Sequence, residues 1–353
     1  MEVGFWHFLD NGKIQCDLCP RFCQLAEGQR GLCFVRARSS DRMISTTYGR
    51  SSGFCVDPIE KKPLNHFLPG TPVLSFGTAG CNLTCKFCQN WDISKSREVE
   101  TLANQASPQL IAQAAVQTNS TSVAYTYNDP IIFLEYAYDT ALACREVGVK
   151  SVAVTAGYIT PKAEEKFFSV MDAANVDLKA FSEKFYRNYV GGKLQPVLET
   201  LEYIKKESGV WLELTTLIIP GLNDSEGEIT KMCQWVVDHL GPDVPLHFSA
   251  FHPAFKMSSI PPTSQKTLAK ARQIAIASGI RYSYTGNIAD RTCESSYCHS
   301  CGELIIERVR YQLGRWNLDN QGNCNNCGTP CSGVFAGQPG SWGAKRVPVR
   351  MPS

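Results

Sequence analysis

The sequence predicts an α/β fold, in which a parallel sheet with crossover helices forms a partial or nearly closed barrel or, alternatively, an open doubly wound sheet. Between residues 70 and 290, a short β-branched run, a turn and an amphipathic segment follow one another repeatedly. This alternation is typical of parallel strands joined by helices. Seven strand candidates suit a barrel. They are Val73–Phe76, Ser122–Tyr127, Ser151–Thr155, Asn175–Lys179, Trp211–Ile219, Leu246–Phe251 and Arg281–Thr285.

Helix ends are readable in the segments between these strands. Ser107 followed by Pro108 places a capping residue before a proline at the first helical position. A longer helix is expected to end at Gly148, since glycine readily takes the left-handed conformation found beyond a helix. Ser225 and Glu228 have the spacing of a capping box at the start of a third helix.

The composition is that of an ordinary globular protein. The chain has 353 residues, of which 43% are hydrophobic and 19% charged. A net charge of +2 gives no reason to expect a nucleic acid or a membrane surface as partner. No secretory signal and no apolar run of roughly 20 residues is visible, so we expect a cytoplasmic protein. Because the cytosol keeps thiols reduced, the sixteen cysteines indicate metal sites rather than disulfides.

Three cysteines stand in one short loop directly after the first strand candidate. Cys81, Cys85 and Cys88 have the spacing C-x3-C-x2-C. A structural zinc site and a four-iron cluster each take four protein ligands, so this loop is one thiolate short. It therefore predicts a [4Fe-4S] cluster with one iron open to a small molecule. A zinc site completed from elsewhere, or half of a disulfide framework, is the alternative.

The setting of these cysteines resembles the signature of the radical S-adenosylmethionine (SAM) superfamily. The run Gly77–Gly80 precedes the loop, and Phe87 stands between its last two cysteines. The resemblance favours the barrel and implies that SAM chelates the open iron, with Phe87 against its adenine. It further implies that the reduced cluster cleaves SAM to methionine and a 5′-deoxyadenosyl radical, which takes a hydrogen atom from a substrate.

Polar residues recur at the ends of the predicted strands, where a parallel barrel carries its active site. Asn128 and Asp129 stand where superfamily members have a glycine-glycine-glutamate-like motif for the ammonium of SAM, although this chain does not have the motif's residues. Asp129 could equally cap the next helix. Asp177 and Lys179 resemble the Asp-x-Lys element of glycyl radical activating enzymes, close to the SAM carboxylate and ribose; a surface pair is the alternative.

Three further residues are candidates for contact with SAM or substrate. Thr216, His247 and Asn287 lie in or after the last three strand candidates. For His247, a buried histidine with its hydrogen bonds satisfied is as good an interpretation as a functional one.

Four cysteines precede the barrel. Cys16, Cys19, Cys23 and Cys33 could close a zinc site or hold an auxiliary iron–sulfur cluster, and the C-x2-C spacing fits both.

Four more cysteines follow the barrel. Cys298 and Cys301, like Cys324 and Cys327, form a C-x2-C-G knuckle, and the two pairs predict a zinc ribbon. The neighbouring basic residues are few and interleaved with acids, so nucleic acid is not expected. The chain then divides into a cysteine-rich segment (1–69), the barrel of the radical SAM type (70–290), a zinc-ribbon-like module (291–335) and a flexible tail (336–353).

A narrower resemblance covers nearly the whole chain. The runs Cys16–Pro20, Gly28–Cys33, Asp57–Leu64 and Gly77–Leu83 look like those of radical SAM enzymes of the AmmeMemoRadiSam system, a group similar to pyruvate formate-lyase-activating enzymes. The resemblance implies a [4Fe-4S] cluster, SAM, an electron donor such as a flavodoxin or ferredoxin, and Memo-like and AMMECR-like partners.

The substrate stays open: it is a protein residue, as for glycyl radical activating enzymes, or a small molecule. Two competing functions are a zinc-binding scaffold with structural cysteines only and an iron–sulfur electron carrier.

Overall fold

The computed structural model describes residues 1–95 and 104–351. Its strands, in chain order, are β1 (Trp6–Phe8), β2 (Ile14–Cys16), β3 (Gln24–Leu25), β4 (Arg36–Ser39), β5 (Arg42–Ser45), β6 (Arg50–Ser51), β7 (Phe54–Pro58), β8 (Pro72–Phe76), β9 (Asn104–Gln105), β10 (Ser122–Tyr125), β11 (Lys150–Thr155), β12 (Ala173–Asp177), β13 (Trp211–Ile218), β14 (Leu246–Ala250), β15 (Ser283–Gly286), β16 (Ser296–Tyr297), β17 (Leu304–Val309), β18 (Gln312–Trp316) and β19 (Val347–Val349).

The helices lie mainly between the strands of the central region. The α-helices are α1 (Trp91–Ser94), α2 (Pro108–Gln117), α3 (Leu134–Glu146), α4 (Pro161–Phe168), α5 (Glu183–Phe185), α6 (Gln195–Tyr203), α7 (Glu226–Leu240), α8 (Gln265–Ala277) and α9 (Arg291–Glu294). Short 3-10 turns occupy Ile59–Lys61, Pro130–Phe133 and Phe255–Met257, and π-helical turns occupy Tyr186–Val190 and Ile204–Ser208. Within the described ranges, no helix combines the length and the apolar character needed to cross a bilayer.

One sheet forms the framework of the described chain. Its nine strands lie in the order β15-β14-β13-β12-β11-β10-β8-β7-β19. Every pair from β8 to β15 is parallel, whereas β7 and β19 are antiparallel to their neighbours. A doubly wound sheet reverses its strand order at a switch point, but this order advances in one direction. The α/β prediction of a partial barrel is confirmed, and β15 and β19 form its two open edges.

The predicted strands and helix starts are present because their local signals agree with the packing. The strands β10, β11 and β12 are almost wholly buried, as expected for parallel strands covered on both faces. The Ser107 side chain accepts a hydrogen bond from the backbone N–H of Leu110, and that of Ser225 accepts one from Glu228. Gly148 has a φ of 73° after α3. These caps fix where each crossover helix begins and ends.

The segments outside residues 70–290 complete the same sheet. Strand β7 comes from the predicted N-terminal segment, and Val347–Val349 pairs with it in register. The prediction of a flexible tail is therefore wrong for these residues. The reason is a close backbone approach: the Gly340 N–H donates to the Pro69 carbonyl at 2.9 Å, and a Cβ on Gly340 would stand 2.4 Å from the Gly70 carbonyl oxygen. The glycine of the tail permits docking rather than disorder.

Candidate active site

A cavity of about 240 Å³ lies at the carboxyl ends of the parallel strands. Its lining residues come from the loop after β8 and from the ends of β10 to β15, so the sheet brings them together from distant parts of the chain. The residues predicted from the sequence that line it are Cys81, Cys85, Phe87, Cys88, Asn128, Asp129, Asp177, Lys179 and Asn287.

The loop carrying the three cysteines is held by one contact just before it and one within it. Before it, Gly80 has a φ of 84°, and a Cβ there would stand 2.0 Å from the Cys33 carbonyl oxygen. Within it, the backbone N–H of Thr84 donates to the Val190 carbonyl at 2.9 Å. Only glycine fits the first position, so the chain approaches Cys81 by a fixed path.

The three sulfur atoms of this loop do not converge on a single point. In the described residues, the only group of three or more possible ligand atoms within 4.8 Å of one another belongs to the C-terminal cysteines. A cluster binds each cysteine through a different iron, so its ligands stand farther apart than those of one ion. Burial raises the pKa of Cys81 to about 12 and that of Cys85 to about 11. Both thiols are neutral at pH 7 unless a metal displaces the proton. The loop fits a cluster better than a single ion.

Asn128 is committed to holding the start of this loop. Its Oδ1 accepts from the Thr78 N–H at 3.0 Å. Its Nδ2 donates to the carbonyls of Ala79 and Gly80 at 3.2 and 3.0 Å and to the Thr78 hydroxyl at 3.1 Å. With 5% of the residue exposed, Asn128 positions the loop rather than offering groups to a ligand.

Asp129 caps the next turn and lines the cavity at the same time. Its Oδ1 accepts from the Ile131 N–H at 3.1 Å and from the Thr155 hydroxyl at 2.9 Å. Its Oδ2 accepts from the Ala156 N–H at 3.1 Å. Burial raises the pKa of Asp129, and these hydrogen bonds oppose that rise. The two interpretations of this residue are thus compatible.

Asp177 and Lys179 form an ion pair at the cavity wall. Their Oδ2 and Nζ atoms are 2.6 Å apart, and 31% and 16% of the two side chains are exposed. Burial acts to lower the pKa of Lys179, but the nearby Asp177 and Cys85 raise it above the ordinary value. Lys179 therefore stays positively charged beside the cysteine loop.

Phe87 and Asn287 form other parts of the wall. Phe87 is 4% exposed and packs against Phe185, with ring centroids 5.8 Å apart. Asn287 has a φ of 60°, a conformation that asparagine tolerates better than most residues, and its amide donates to the Ala250 carbonyl at 3.3 Å.

Two predicted residues lie outside this cavity. The Thr216 hydroxyl donates to the Leu178 carbonyl at 2.8 Å and lies against Met232 of α7, so it faces the helical layer. Side chains alternate along a strand, and it is Thr215 that lines the cavity. His247 lines a second cavity and shares a hydrogen bond of 2.7 Å with Glu213.

The second cavity, of about 320 Å³, adjoins the first. Both are lined by Thr215, Ser249 and Asn287. Sequence reasoning missed Thr215 and Ser249, because the alternation of side chains along a strand does not by itself tell which face is turned inward. The second cavity was also missed, because Glu60 and Arg308 reach it from segments far from the barrel strands.

Several buried polar atoms of its lining have no hydrogen-bond partner among the described residues. They are Oε2 of Glu60, Oγ1 of Thr215, Oγ1 of Thr285 and Nε of Arg308. Arg308 is 1% exposed; its other nitrogens donate to the Asn65 carbonyl at 2.6 Å and the Ser296 hydroxyl at 2.8 Å. Unpaired buried groups are rare and indicate that something polar fills the space between them.

The acids beside this cavity have opposite pKa shifts. Burial raises the pKa of Glu60 to about 7, although Arg308 opposes the rise. Burial also acts on Glu213, but its hydrogen bond with His247 and the nearby His66 lower its pKa below the ordinary value. The backbone N–H groups of Asn65 and His66 donate to the same carboxylate at 3.0 and 2.7 Å. Glu213 therefore holds the imidazole ring of His247 in place through this hydrogen bond.

The C-terminal cysteines form a compact group. The sulfurs of Cys298 and Cys327 are 3.6 Å apart, those of Cys301 and Cys324 are 3.8 Å apart, and all four lie within 4.8 Å of one another. They are placed to bind one metal centre. The N-terminal cysteines Cys16, Cys19, Cys23 and Cys33 instead line a separate small cavity.

Comparisons with known proteins agree with this geometry. The sequence pattern of the Radical SAM superfamily matches residues 76–233, from the end of β8 to α7. The chain is 40% identical over 328 residues to the uncharacterized protein MJ0808 of Methanocaldococcus jannaschii, covering 93% of this chain and 97% of that protein.

Two activating enzymes are more distant relatives. Identity to the 4-hydroxyphenylacetate decarboxylase activating enzyme of Clostridioides difficile is 20% over 245 residues, covering 66% of this chain and 74% of that protein. Identity to the pyruvate formate-lyase-activating enzyme of Clostridium pasteurianum is 26% over 159 residues, covering 43% and 64%.

Proposed function

The chain belongs to the radical SAM superfamily and is an enzyme of that class, and we propose that it abstracts a hydrogen atom from a small polar molecule held in the second cavity. The family implies a [4Fe-4S] cluster and SAM, and we assign Cys81, Cys85 and Cys88 as the cluster ligands. When bound, the two cofactors supply one-electron cleavage of SAM to methionine and a 5′-deoxyadenosyl radical, the agent of hydrogen abstraction. The observation that carries the proposal is that these cysteines and the polar strand ends share one cavity.

The residues around the loop have distinct roles in this proposal. Asn128 holds the loop backbone in place through its four hydrogen bonds. We assign Lys179 to the carboxylate of SAM, because its charge faces the cavity, and Asp177 to a ribose hydroxyl. We assign Asp129 to the ammonium of SAM and Phe87 to the apolar wall for adenine, since both line the cavity.

The second cavity supports a small molecule as the substrate. Its volume of about 320 Å³ is within the range of small-molecule sites. In the part of the chain that the structure describes, no carboxylate oxygen lies within 4.0 Å of the buried Arg308 guanidinium. A buried charge of this kind is costly unless a ligand pairs with it. We therefore assign Arg308 to a carboxylate of the substrate, and Glu60 to a donor group.

A second candidate is the activation of a partner enzyme. It is favoured by the two activating enzymes among the relatives. It requires a peptide to reach the first cavity, and it gives no role to the unpaired groups of Glu60 and Arg308. We place it second for that reason.

The remaining expectations stay part of the proposal. The C-terminal group fits zinc, because Zn–S bonds of about 2.3 Å in a tetrahedron place sulfurs about 3.8 Å apart. We also propose a flavodoxin or ferredoxin as electron donor, Memo-like and AMMECR-like proteins as partners, and a cytoplasmic location. The predicted segment boundaries at residues 69, 290 and 335 are retained with them.

The test is production of 5′-deoxyadenosine by protein reconstituted anaerobically with iron and sulfide and reduced with dithionite. Changing Cys81, Cys85 and Cys88 to alanine should abolish the product and leave the C-terminal metal in place. The matched control is Cys144→Ala, which removes a buried cysteine of α3 outside every cluster. A wild-type protein with an intact cluster and no product would refute the proposal.

A further inference from the structure

The N-terminal cysteines are brought together by two turns of the chain. Cys16 ends β2, and its N–H donates to the Cys23 carbonyl at 2.9 Å. The chain then returns at Gly31, whose Cβ position lies 3.7 Å from the sulfurs of both Cys23 and Cys33. With Cys19, these residues line one apolar cavity. The proposed reaction leaves this second set of thiols without a role.

The spacing of these sulfurs distinguishes a site for a single zinc ion from a site for an iron–sulfur cluster. No three of them lie within 4.8 Å of one another, whereas the four C-terminal sulfurs do; both sets lie within the described residues. Sulfurs bound to one zinc ion stand about 3.8 Å apart. The arrangement is too wide for a single ion.

Arg36 adds an independent observation at the same cavity. It is 1% exposed and lines the cavity, and its Nη2 donates to Glu135 at 2.6 Å. Its Nε and Nη1 have no hydrogen-bond partner among the described residues. Unpaired donors of a buried guanidinium indicate an acceptor that the described residues do not supply.

We propose that Cys16, Cys19, Cys23 and Cys33 bind a second [4Fe-4S] cluster, fully ligated by protein. Four thiolates on four irons account for the wide spacing, and hydrogen bonds from Arg36 to the cluster sulfurs account for the unpaired donors. The site is distinct from the cavity that Cys85 and Cys88 line, but it shares one residue of their loop. Asn82, which follows Cys81, lines it, and the Arg21 Nε donates to the Asn82 carbonyl at 2.8 Å.

Metal content tests this proposal independently of the proposed function, because it is measured in a variant that cannot form the first cluster. The variant with Cys81, Cys85 and Cys88 changed to alanine should retain roughly four irons and four sulfides per chain after anaerobic reconstitution, against about eight in the wild type. Its Mössbauer and EPR spectra should not respond to SAM. Changing Cys16, Cys19, Cys23 and Cys33 to serine instead should remove only the cluster that ignores SAM.

A single substitution keeps the test valid if the variant with all four cysteines changed fails to fold. Cys23→Ser alters one of the two half-buried members of the set, Cys23 and Cys33, and should lower the iron retained in the triple-alanine background. Cys293→Ser, a half-buried cysteine outside all three sets, should leave that iron unchanged. Zinc in place of iron at the N-terminal set, or no metal there in a folded triple-alanine protein, would overturn the proposal. Either result leaves the test of 5′-deoxyadenosine production unaffected.

Discussion

Removal of the Asn128 amide should loosen the loop that presents Cys81. Asn128→Ala deletes four hydrogen bonds: the Thr78 N–H and the Gly80 carbonyl lose their buried partner, whereas the Ala79 carbonyl keeps the Thr78 hydroxyl at 3.3 Å. At a net 0.5–1.5 kcal/mol for each bond, the expected cost is about 2–6 kcal/mol. Asn128→Asp should cost at least as much, because it keeps only the acceptor and places a carboxylate against carbonyl oxygens.

The cost should be visible in two measurements. Because a loop can open without the rest of the barrel, the loss divides between global unfolding and local opening. Urea denaturation followed by circular dichroism reports the first, and the rate of iron loss to a chelator reports the second. A local cost of about 2–3 kcal/mol corresponds to a roughly 30- to 150-fold faster loss when opening limits release.

Asn90→Ala is the matched control. The Asn90 amide makes one exposed hydrogen bond, to the Tyr127 carbonyl at 2.8 Å, beside the same cavity. It should change unfolding by less than about 1 kcal/mol and leave iron loss within a few-fold of wild type. If Asn128→Ala behaves like Asn90→Ala in both assays, the inference that Asn128 positions the loop is wrong.

Three other perturbations test other parts of the site. Glu60→Gln should flatten the pH dependence of the melting temperature. The pKa of Glu60 is about 7 in the folded protein and 4.5 when the side chain is free, so the wild type loses stability as the pH rises from 4.5 to 7. Glutamine does not titrate and should not show this loss. An unchanged slope would contradict the burial argument. Lys179→Met should weaken SAM binding, measured by calorimetry on reconstituted protein, by roughly 10- to 100-fold, and the exposed Lys184→Met should not. Equal affinities would remove Lys179 from the site. Cys324→Ser should release zinc, measured by plasma mass spectrometry, and lower the melting temperature, whereas Cys293→Ser should do neither. Zinc retained in full would show that the ribbon cysteines are not its ligands.

Much of the barrel could be predicted because its signals are local. All seven strand candidates overlap the observed strands, with ends that agree to within two residues. One of the two-residue differences arises where pairing stops early: after Asp177, the Leu178 N–H turns back to the Val176 carbonyl at 3.1 Å. Buried β-branched runs and capping residues encode such elements directly.

The second cavity could not be predicted, because no local pattern describes it. Its polar groups come from a turn before β8, from the C-terminal module and from strand β14, and only tertiary packing brings Glu60, Arg308 and His247 to one cavity. Thr216 was misassigned for a related reason. The sequence places it near the end of β13, but which of two neighbouring threonines faces inward depends on the register of the strand.

The open edge of the sheet gives a physical reason for the C-terminal module. An unpaired strand such as β15 exposes backbone groups and apolar side chains that must be covered. Tyr282 and Tyr284 at this edge pack with Ile305 and Ile306 of the module in one hydrophobic cluster. The same packing places β17 so that Arg308 bonds to the Asn65 carbonyl and lines the second cavity. The incomplete sheet and the C-terminal module therefore together build the proposed substrate site.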